Sequence, residues 1–502
     1  MSGAEAAIPA VPADSRLCAG PSDTQLYQHH ENDVALRHLD PVSLSMARMG
    51  RAAPLDRNRE HTVTRALTLT ETAATAARPV GKLKSSSGSS KAGHLSEGWP
   101  ETPPGADPLP GQLDRWLASR GAELVAIRRH IHAHPELSGH EFETAALVAR
   151  ELTRAGLSPR MLPKGNGVMC DIGYGERVIA LRADLDALPL PDTKDVPYRS
   201  TVDNVCHACG HDVHTTVLLG AGLALAQLAE RDELPGRVRL LFQPAEETMP
   251  SGAPEVIAAG GLKDVAAIFA LHCAPQLPVG LVGVRSGPFT AAADKIEVRL
   301  TGRGGHTARP HLTADLVHAL GRILVDVPSL LDRKLDARAG VSMVWGAVRA
   351  GEAANAIPIE GVARGTIRVL SRDAWRDVPE LVTKLVHDVI APTGADVEVT
   401  YTRGVPPVVN DRLATAIIAG AAGAALGPDR VVEAEISMGG EDFAFYLDGI
   451  PGSMIRLGVG VPGAETKFDI HQSAFDVDER AIGHGVRIMV HTALAALSAG
   501  AF

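Results

Sequence analysis

CHACGHDVHTTVLLGAGLALAQLAE, residues 206–230, is the stretch on which the reading of this chain turns. Its first half gathers Cys206, His207, Cys209, His211 and His214, and its second half is an almost uncharged helical run. The segments on either side are apolar and β-prone: RVIALRADLDAL (177–188) before it, RVRLLFQPAEE (237–247) and AAIFALHC (266–273) after it. Strands that alternate with helices imply an α/β sheet, largely parallel in its centre. Ahead of these, Leu113, Trp116, Leu117, Leu124, Ile127 and Ile131 recur at helical spacing, and so do Phe142, Ala145, Val148, Ala149 and Leu152.

From about Ala293 to Arg403 the rhythm changes. DKIEVRLTG, VSMVWGAVRAG, GVARGTIRVLS and ADVEVTYTR read as strands, with helices at TADLVHALGRILVDVPSLL and WRDVPELVTKLVHDVI. That order, β-α-β-β-α-β, is ferredoxin-like. Residues 404–502 return to α/β character, with a helix at LATAIIAGAAGAAL and a strand at SMIRLGV. The expected fold is therefore α/β: a mixed, largely parallel sheet flanked by helices and built from residues 109–292 and 404–502. Residues 293–403 form an inserted ferredoxin-like α+β domain. Residues 1–108, rich in Ala, Pro, Ser and Arg and without sustained apolar periodicity, read as a disordered extension. Met46 and Met49 within it offer alternative starts.

Composition bounds the function. The 502 residues carry a formal net charge of −10, with 45% hydrophobic and 22% charged residues. This is ordinary globular composition, and with no basic stripe it excludes a nucleic-acid partner. No run approaches the roughly 18 consecutive apolar residues of a membrane span, and the first residues lack a secretory pattern, so the expected compartment is the cytoplasm. The 5 cysteines are too scattered for a disulfide framework.

Thiolate and neutral imidazole suit zinc and similar ions, and a helix N-terminus helps keep a thiol ionised. Cys206 and Cys209 also form a CxxC pair, so a redox site, or neither chemistry, stays open. Glu246 and Glu247 are a second signal. An acidic pair is more often a solvated surface, but this one follows an apolar strand, where α/β folds place their crevice. One carboxylate there can bind a metal while the other takes a proton. His272 follows a strand, and His471 stands beside Asp469; each alone is commonly structural. Asp184 and Asp186 add carboxylates at another strand end.

Taken in order, RRHIHAHPELSGHEFET, ALRADLDALPL, CHACGHDVHTT, FQPAEE, the His272 segment, GRGGHTARP, NAIPIEGVARGTIR, SMGGEDFAFY and HQSAFDVDE resemble the zinc-type amidohydrolases. The branch is that of hippurate hydrolase, auxin-conjugate (indole-acetyl amino acid) hydrolase and N-acyl-amino-acid amidohydrolases. The likeness covers about residues 111–500. It implies a metal-dependent enzyme that cleaves the linear amide of a small N-acyl amino acid. Two divalent ions, Zn or Mn with Co or Ni also possible, would be held by Cys209 as bridge, His211, Glu247, His272 and His471. Glu246 would be the general base, and Asp186 would orient a ligand.

By the same resemblance, residues 293–403 form a lid and dimerisation domain. His306 would reach the partner subunit's active site and stabilise an oxyanion, and Asn355 and Arg368 would grip the substrate carboxylate. A homodimer or homotetramer follows. Cys206 stands where relatives often carry Met, which weakens the CxxC reading. A dipeptidase or carboxypeptidase of the same chemistry, and a non-catalytic metal-binding scaffold, are the alternatives.

Overall fold

The structure is a computed structural model that describes residues 109–463 and 468–500; the extension expected over residues 1–108 lies outside the described residues. Helix α1 (Leu109–Ala133) begins one turn before the periodicity at Leu113 and buries Leu113, Leu117, Leu124 and Ile131. Helix α2 (Phe142–Arg154) buries Ala145, Leu147, Val148 and Leu152. There follow β1 (Arg160–Met161), β2 (Val168–Gly173), β3 (Val178–Asp184), α3 (His211–Glu230) and β4 (Arg237–Gln243). Then come α4 (Ala253–Ala258), β5 (Val265–Pro278), β6 (Val282–Val284) and β7 (Gly287–Pro288).

The expected insertion contains β8 (Asp294–Thr301), β9 (Gly305–His306), α5 (Leu316–Lys334) and β10 (Ser342–Ala350). It continues with β11 (Ala356–Ile357), β12 (Glu360–Arg368), α6 (Arg372–Ile390) and β13 (Asp396–Thr402). The chain closes with β14 (Val409–Asn410), α7 (Arg412–Leu426), β15 (Val431–Glu433), β16 (Gly452–Gly460) and α8 (Arg480–Ser498).

The large sheet has the order β1-β2-β4-β3-β5-β16-β6-β15. Its centre, β4-β3-β5-β16, is parallel, and β1, β2 and the β16–β6 contact are antiparallel. The fold is thus the mixed, largely parallel α/β sheet. Every residue of β3 is buried because both faces are covered. Ile179 and Leu181 join the cluster under α3 and α8, whereas Val178 and Ala180 join the opposite cluster with Phe289, Phe443 and Met454. Burying one such Leu or Ile side chain contributes about 1.5–3 kcal/mol. Helix α3 lies close on the sheet because its residues are small: a Cβ at Gly222 would stand 2.5 Å from Leu240 Cδ1. By length and apolar composition α3 could cross a membrane, yet 89% of that window is buried inside the fold, as in a core helix.

Strands β10-β12-β8-β13 form a second, wholly antiparallel sheet. Ile296, Val298 and Leu300 pack with Leu320, Ile323, Val382 and Val386 of α5 and α6 in a separate apolar cluster. The alternate side chains Lys295, Glu297, Arg364, Thr366 and Thr400 line the other face. The order β8-α5-β10-β12-α6-β13 is the one the sequence implies, with the small β9–β11 pair added.

Two strand ends differ from the sequence reading, and both shape the crevice. Strand β3 stops at Asp184, after which Ala187 N donates to Glu136 O and Leu188 exchanges backbone bonds with Cys206. Strand β4 stops at Gln243, because Pro244 has no N–H for the ladder and Ala245 takes φ +54°. Asp184, Asp186, Glu246 and Glu247 therefore sit on or just beyond the C-terminal ends of adjacent parallel strands. That is where open α/β sheets place ligands.

Candidate metal centre

The five donors expected from the sequence converge. Cys209, His211 and His272 offer donor atoms within 4.8 Å of one another, and so do Cys209, Glu247 and His471, and His211, Glu246 and Glu247. Cys209 Sγ lies 3.5 Å from His272 Nε2, and Glu247 Oε1 lies 3.9 Å from His211 Nε2 and 3.1 Å from His471 Nε2. Four elements supply them: the N-terminus of α3, the β4 end, β5, and the loop after β16. Gly210 makes the first possible. It takes φ +90°, and a Cβ there would meet Cys273 Sγ at 2.8 Å. His471, half-exposed and at φ +63°, is held by its backbone N–H donating to Ala208 O.

Backbone contacts set the imidazole tautomers. His211 Nδ1 donates to Asp186 O at 2.8 Å, and His272 Nδ1 donates to Cys273 O at 2.8 Å. Each ring therefore turns its Nε2 toward the cluster, as a lone pair on His272 and, on His211, as a position whose proton an ion would displace. His211 Nε2 and Glu247 Oε1 are buried without a hydrogen-bond partner among the described residues. Buried nitrogen and oxygen without partners, beside a thiol, form a donor set that fits divalent, zinc-like ions. His214 lies in the same place but is occupied on both sides. Its Nε2 accepts from Cys273 N at 2.8 Å, so its Nδ1 donates to Asp184 Oδ1 at 2.6 Å.

The electrostatics correct one expectation. The helix N-terminus does not by itself keep Cys209 ionised: burial, reinforced by Glu247, Glu246 and Asp184, pushes its thiol well above the usual range. Burial works to lower His211, but Asp184 and Asp186 more than reverse it and raise it to about 10. Burial, with Arg456 next, holds His272 well below its usual range. Burial and then Glu441 push Glu246 well above the usual carboxylate range.

Asp186 sits beneath the donors without joining a donor group. Its Oδ2 accepts from Ser138 Oγ at 2.6 Å and from Glu247 N at 2.9 Å, and its Oδ1 lies 3.3 Å from His211 Nδ1. Cys206 is separate from the cluster, its Sγ 4.0 Å from Pro191 O. Cys206 and Cys209 are both free thiols, so no CxxC disulfide is present.

Several buried groups had no assigned role in the sequence reading. Arg182 is ion-paired with Asp184 at 2.6 Å, Asp442 at 2.6 Å and Glu441 at 3.3 Å. Arg128 and His132 both contact Asp212 at 2.7 Å, directly after His211. Charges inside the motifs LRADLD and GGEDF were the available signal, but their partners lie up to 260 residues away.

The three residues expected from the insertion are not in the donor cluster. His306 and Asn355 are exposed and adjacent to each other: His306 pairs with Ala356, and Thr307 N donates to Asn355 O. Arg368 ends β12 opposite Ser342.

Comparison with known proteins gives a consistent picture. The profile of peptidase family M20/M25/M40 matches residues 180–495. A protein of Rhodococcus jostii (strain RHA1) named glutamate–cysteine ligase 2-3 is 50% identical over 370 residues, 73% of this chain but only 46% of that protein. An N-acetyl-L-cysteine deacetylase of Bacillus subtilis (strain 168) is 37% identical over 73% of this chain and 86% of its own length. The crystal structure of a dinuclear metal-binding M20 peptidase of Bacillus subtilis superposes with a TM-score of 0.65 at 35% identity, covering 75% of this chain and 98% of that one.

Proposed function

Since the chain belongs to peptidase family M20/M25/M40, as a metal-dependent hydrolase, we propose that it cleaves the amide bond of N-acyl amino acids, releasing a carboxylic acid and a free amino acid. The deacetylase relative supports that substrate class, and the dinuclear M20 relative supports two ions. Cys209, His211, Glu247, His272 and His471 would hold them; zinc or manganese is the proposed metal. Bound there, the ions supply Lewis-acid chemistry and lower the pKa of water.

The observation that carries the reading is Glu246. It lies in reach of the donors His211 and Glu247, while Glu247 alone groups with Cys209 and His471. Glu246 takes the proton as water attacks the amide carbonyl and passes it to the departing amine. Asp186 orients His211 and the Glu247 backbone.

Residues 293–403 act as a lid and dimer-forming domain. His306 stabilises the oxyanion in the partner copy, and Asn355 and Arg368 hold the substrate carboxylate. The exposed position of His306, away from its own chain's donors, supports that assignment and a homodimer or homotetramer. The proposed compartment is the cytoplasm.

A panel of N-acyl amino acids and dipeptides, assayed after chelation and re-addition of single metals, tests the activity. Glu246→Gln should retain metal and lose about 10²–10⁴-fold in turnover; normal turnover would overturn its role.

A further inference from the structure

Two arginines project from one face of the central sheet, and their surroundings are opposite. Arg182 on β3 is fully buried and saturated by Asp184, Asp442, Glu441 and Gln243. Arg456 on β16 stands in register with His272 on β5. Paired residues on neighbouring strands share a face, so Arg456 lies beside His272 on the side of the donor cluster. Its guanidinium is 4.8 Å from the centre of the Phe289 ring. Among the described residues it has no hydrogen bond and no ion pair.

That isolation is chemically unusual. Arg456 is half-buried, and its loss of water outweighs the nearby Glu441 and Cys209, so its pKa falls below the usual guanidinium range. Stacking on Phe289 engages the flat face of the guanidinium and leaves the N–H groups at its edge without acceptors. A cation withdrawn from water without a counter-charge is unfavourable. The carboxylate whose charge it feels, Glu441, contacts Arg182 at 3.3 Å and accepts from Phe443 N. Binding of ions would sharpen the imbalance, because the anionic donors Cys209 and Glu247 balance only part of the charge of two divalent cations.

The position of Arg456 is as informative as its charge. Phe289 opens the connection into β8, and its N–H donates to Val408 O on the returning connection. Arg456 thus stands between the donor cluster and the two strands that link the main sheet to the insertion. A group seated over His272 would meet Arg456 on the same sheet face.

We infer that Arg456 is a substrate-recognition residue whose guanidinium edge receives a carboxylate of the substrate through paired charge-assisted hydrogen bonds. The inference rests on the amidohydrolase reading. Two parts of such a substrate could supply the carboxylate: the amino-acid half, or an acidic acyl half such as succinyl. Either way Arg456 adds a second cationic contact to that of Arg368, from the main sheet rather than from the insertion.

The test uses the metal-loaded full chain and its Arg456→Met and Arg456→Lys variants. Each is assayed on an N-acetyl amino acid and its carboxamide, and on an N-succinyl amino acid and its neutral succinamoyl counterpart. Arg456→Met should lose about 10–100-fold in kcat/KM on the charged member of one pair and change little on the neutral member. The affected pair identifies the source of the carboxylate, and Lys should restore part of the loss. Equal loss on charged and neutral members, or no loss in either pair, would overturn the inference.

Calorimetric titration of the same proteins with succinate and with alanine reads binding without turnover, with metal content measured in parallel. At least one ligand should bind about tenfold or more weakly to Arg456→Met at unchanged metal content. Unchanged binding of both, or a loss that tracks metal content, would sink the idea. Arg456-dependent binding without hydrolysis of any N-acyl amino acid would refute the amidohydrolase reading and leave this inference standing. Should the Met variant not fold, Arg456→Gln takes its place in the same assays.

Discussion

Replacing Asp186 with Asn changes one buried oxygen to nitrogen at the point where two of the candidate metal donors are held. Burial opposes the charge of Asp186, yet His211 and Ser138 keep its carboxyl below the usual range. Its Oδ2 accepts from Ser138 Oγ at 2.6 Å and Glu247 N at 2.9 Å, and its Oδ1 faces His211 Nδ1 at 3.3 Å. An Asn can satisfy only one side. With its oxygen toward Ser138 and Glu247, its amide N–H₂ confronts the N–H of His211. Flipped, it leaves the Glu247 N–H without an acceptor.

Each loss costs about 1–3 kcal/mol, the range for a contact to a charged group or an unsatisfied buried donor. The groups released are the His211 ring and the Glu247 backbone, so the loss should appear as metal affinity about 10–100-fold weaker. Competition with a chromogenic chelator measures it, and thermal unfolding with and without metal separates affinity from general destabilisation. Turnover at saturating metal should fall less than affinity, because Glu246 is untouched. A chelator competition curve that superimposes on wild type would refute the argument that Asp186 positions the donors.

Two further predictions concern protons and backbone. An ion held at the candidate donors would displace protons from His211, raised to about 10, and from Cys209, held well above its usual range. Affinity should therefore climb between about pH 6 and pH 9 with proton release on binding, and calorimetry in buffers of different ionisation enthalpy would expose a pH-independent affinity as contrary. In the metal-free protein the sign for stability is opposite: the His211 contribution is fully present below its ordinary value of 6.5 and is lost as pH rises through about 10. Gly210→Ala should lower both metal content and melting temperature, since its φ of +90° and the 2.8 Å approach to Cys273 Sγ leave no room for a Cβ. The left-handed backbone alone costs about 1–2 kcal/mol, and wild-type metal content with an unchanged melting temperature would contradict this.

Much of the site was legible before any coordinates. Cys209 and His211 are two residues apart at a helix start, and Glu246 and Glu247 close an apolar, β-prone stretch, although the strand itself stops at Gln243. Strands at 177–188, 237–247 and 266–273 separated by a helix dictate parallel neighbours whose ends face one way. The separate roles of Cys206 and Cys209 were also readable, though from resemblance rather than from spacing. Illegible were the groups that support the donors. Nothing local in LRADLD says that Asp184 pairs with Arg182 and His214 while Asp186 holds Glu247 and His211. Strand alternation puts both carboxylates at one strand end and is silent about their partners.

The sequence by itself determined the elements and their order, because these follow from apolar period and turn chemistry within a few positions, while the candidate donors came from the resemblance of the motifs to a known family. Only the tertiary structure decided the protonation and the pairing. Cys209 carries a raised pKa because folding buries it beside Glu246, Glu247 and Asp184, which local helix geometry does not report. Arg182 and Arg456 look alike in sequence, each an arginine within an apolar strand. One is enclosed by four partners and the other is stacked on Phe289, because charges placed far apart along the chain meet only when the sheet is assembled.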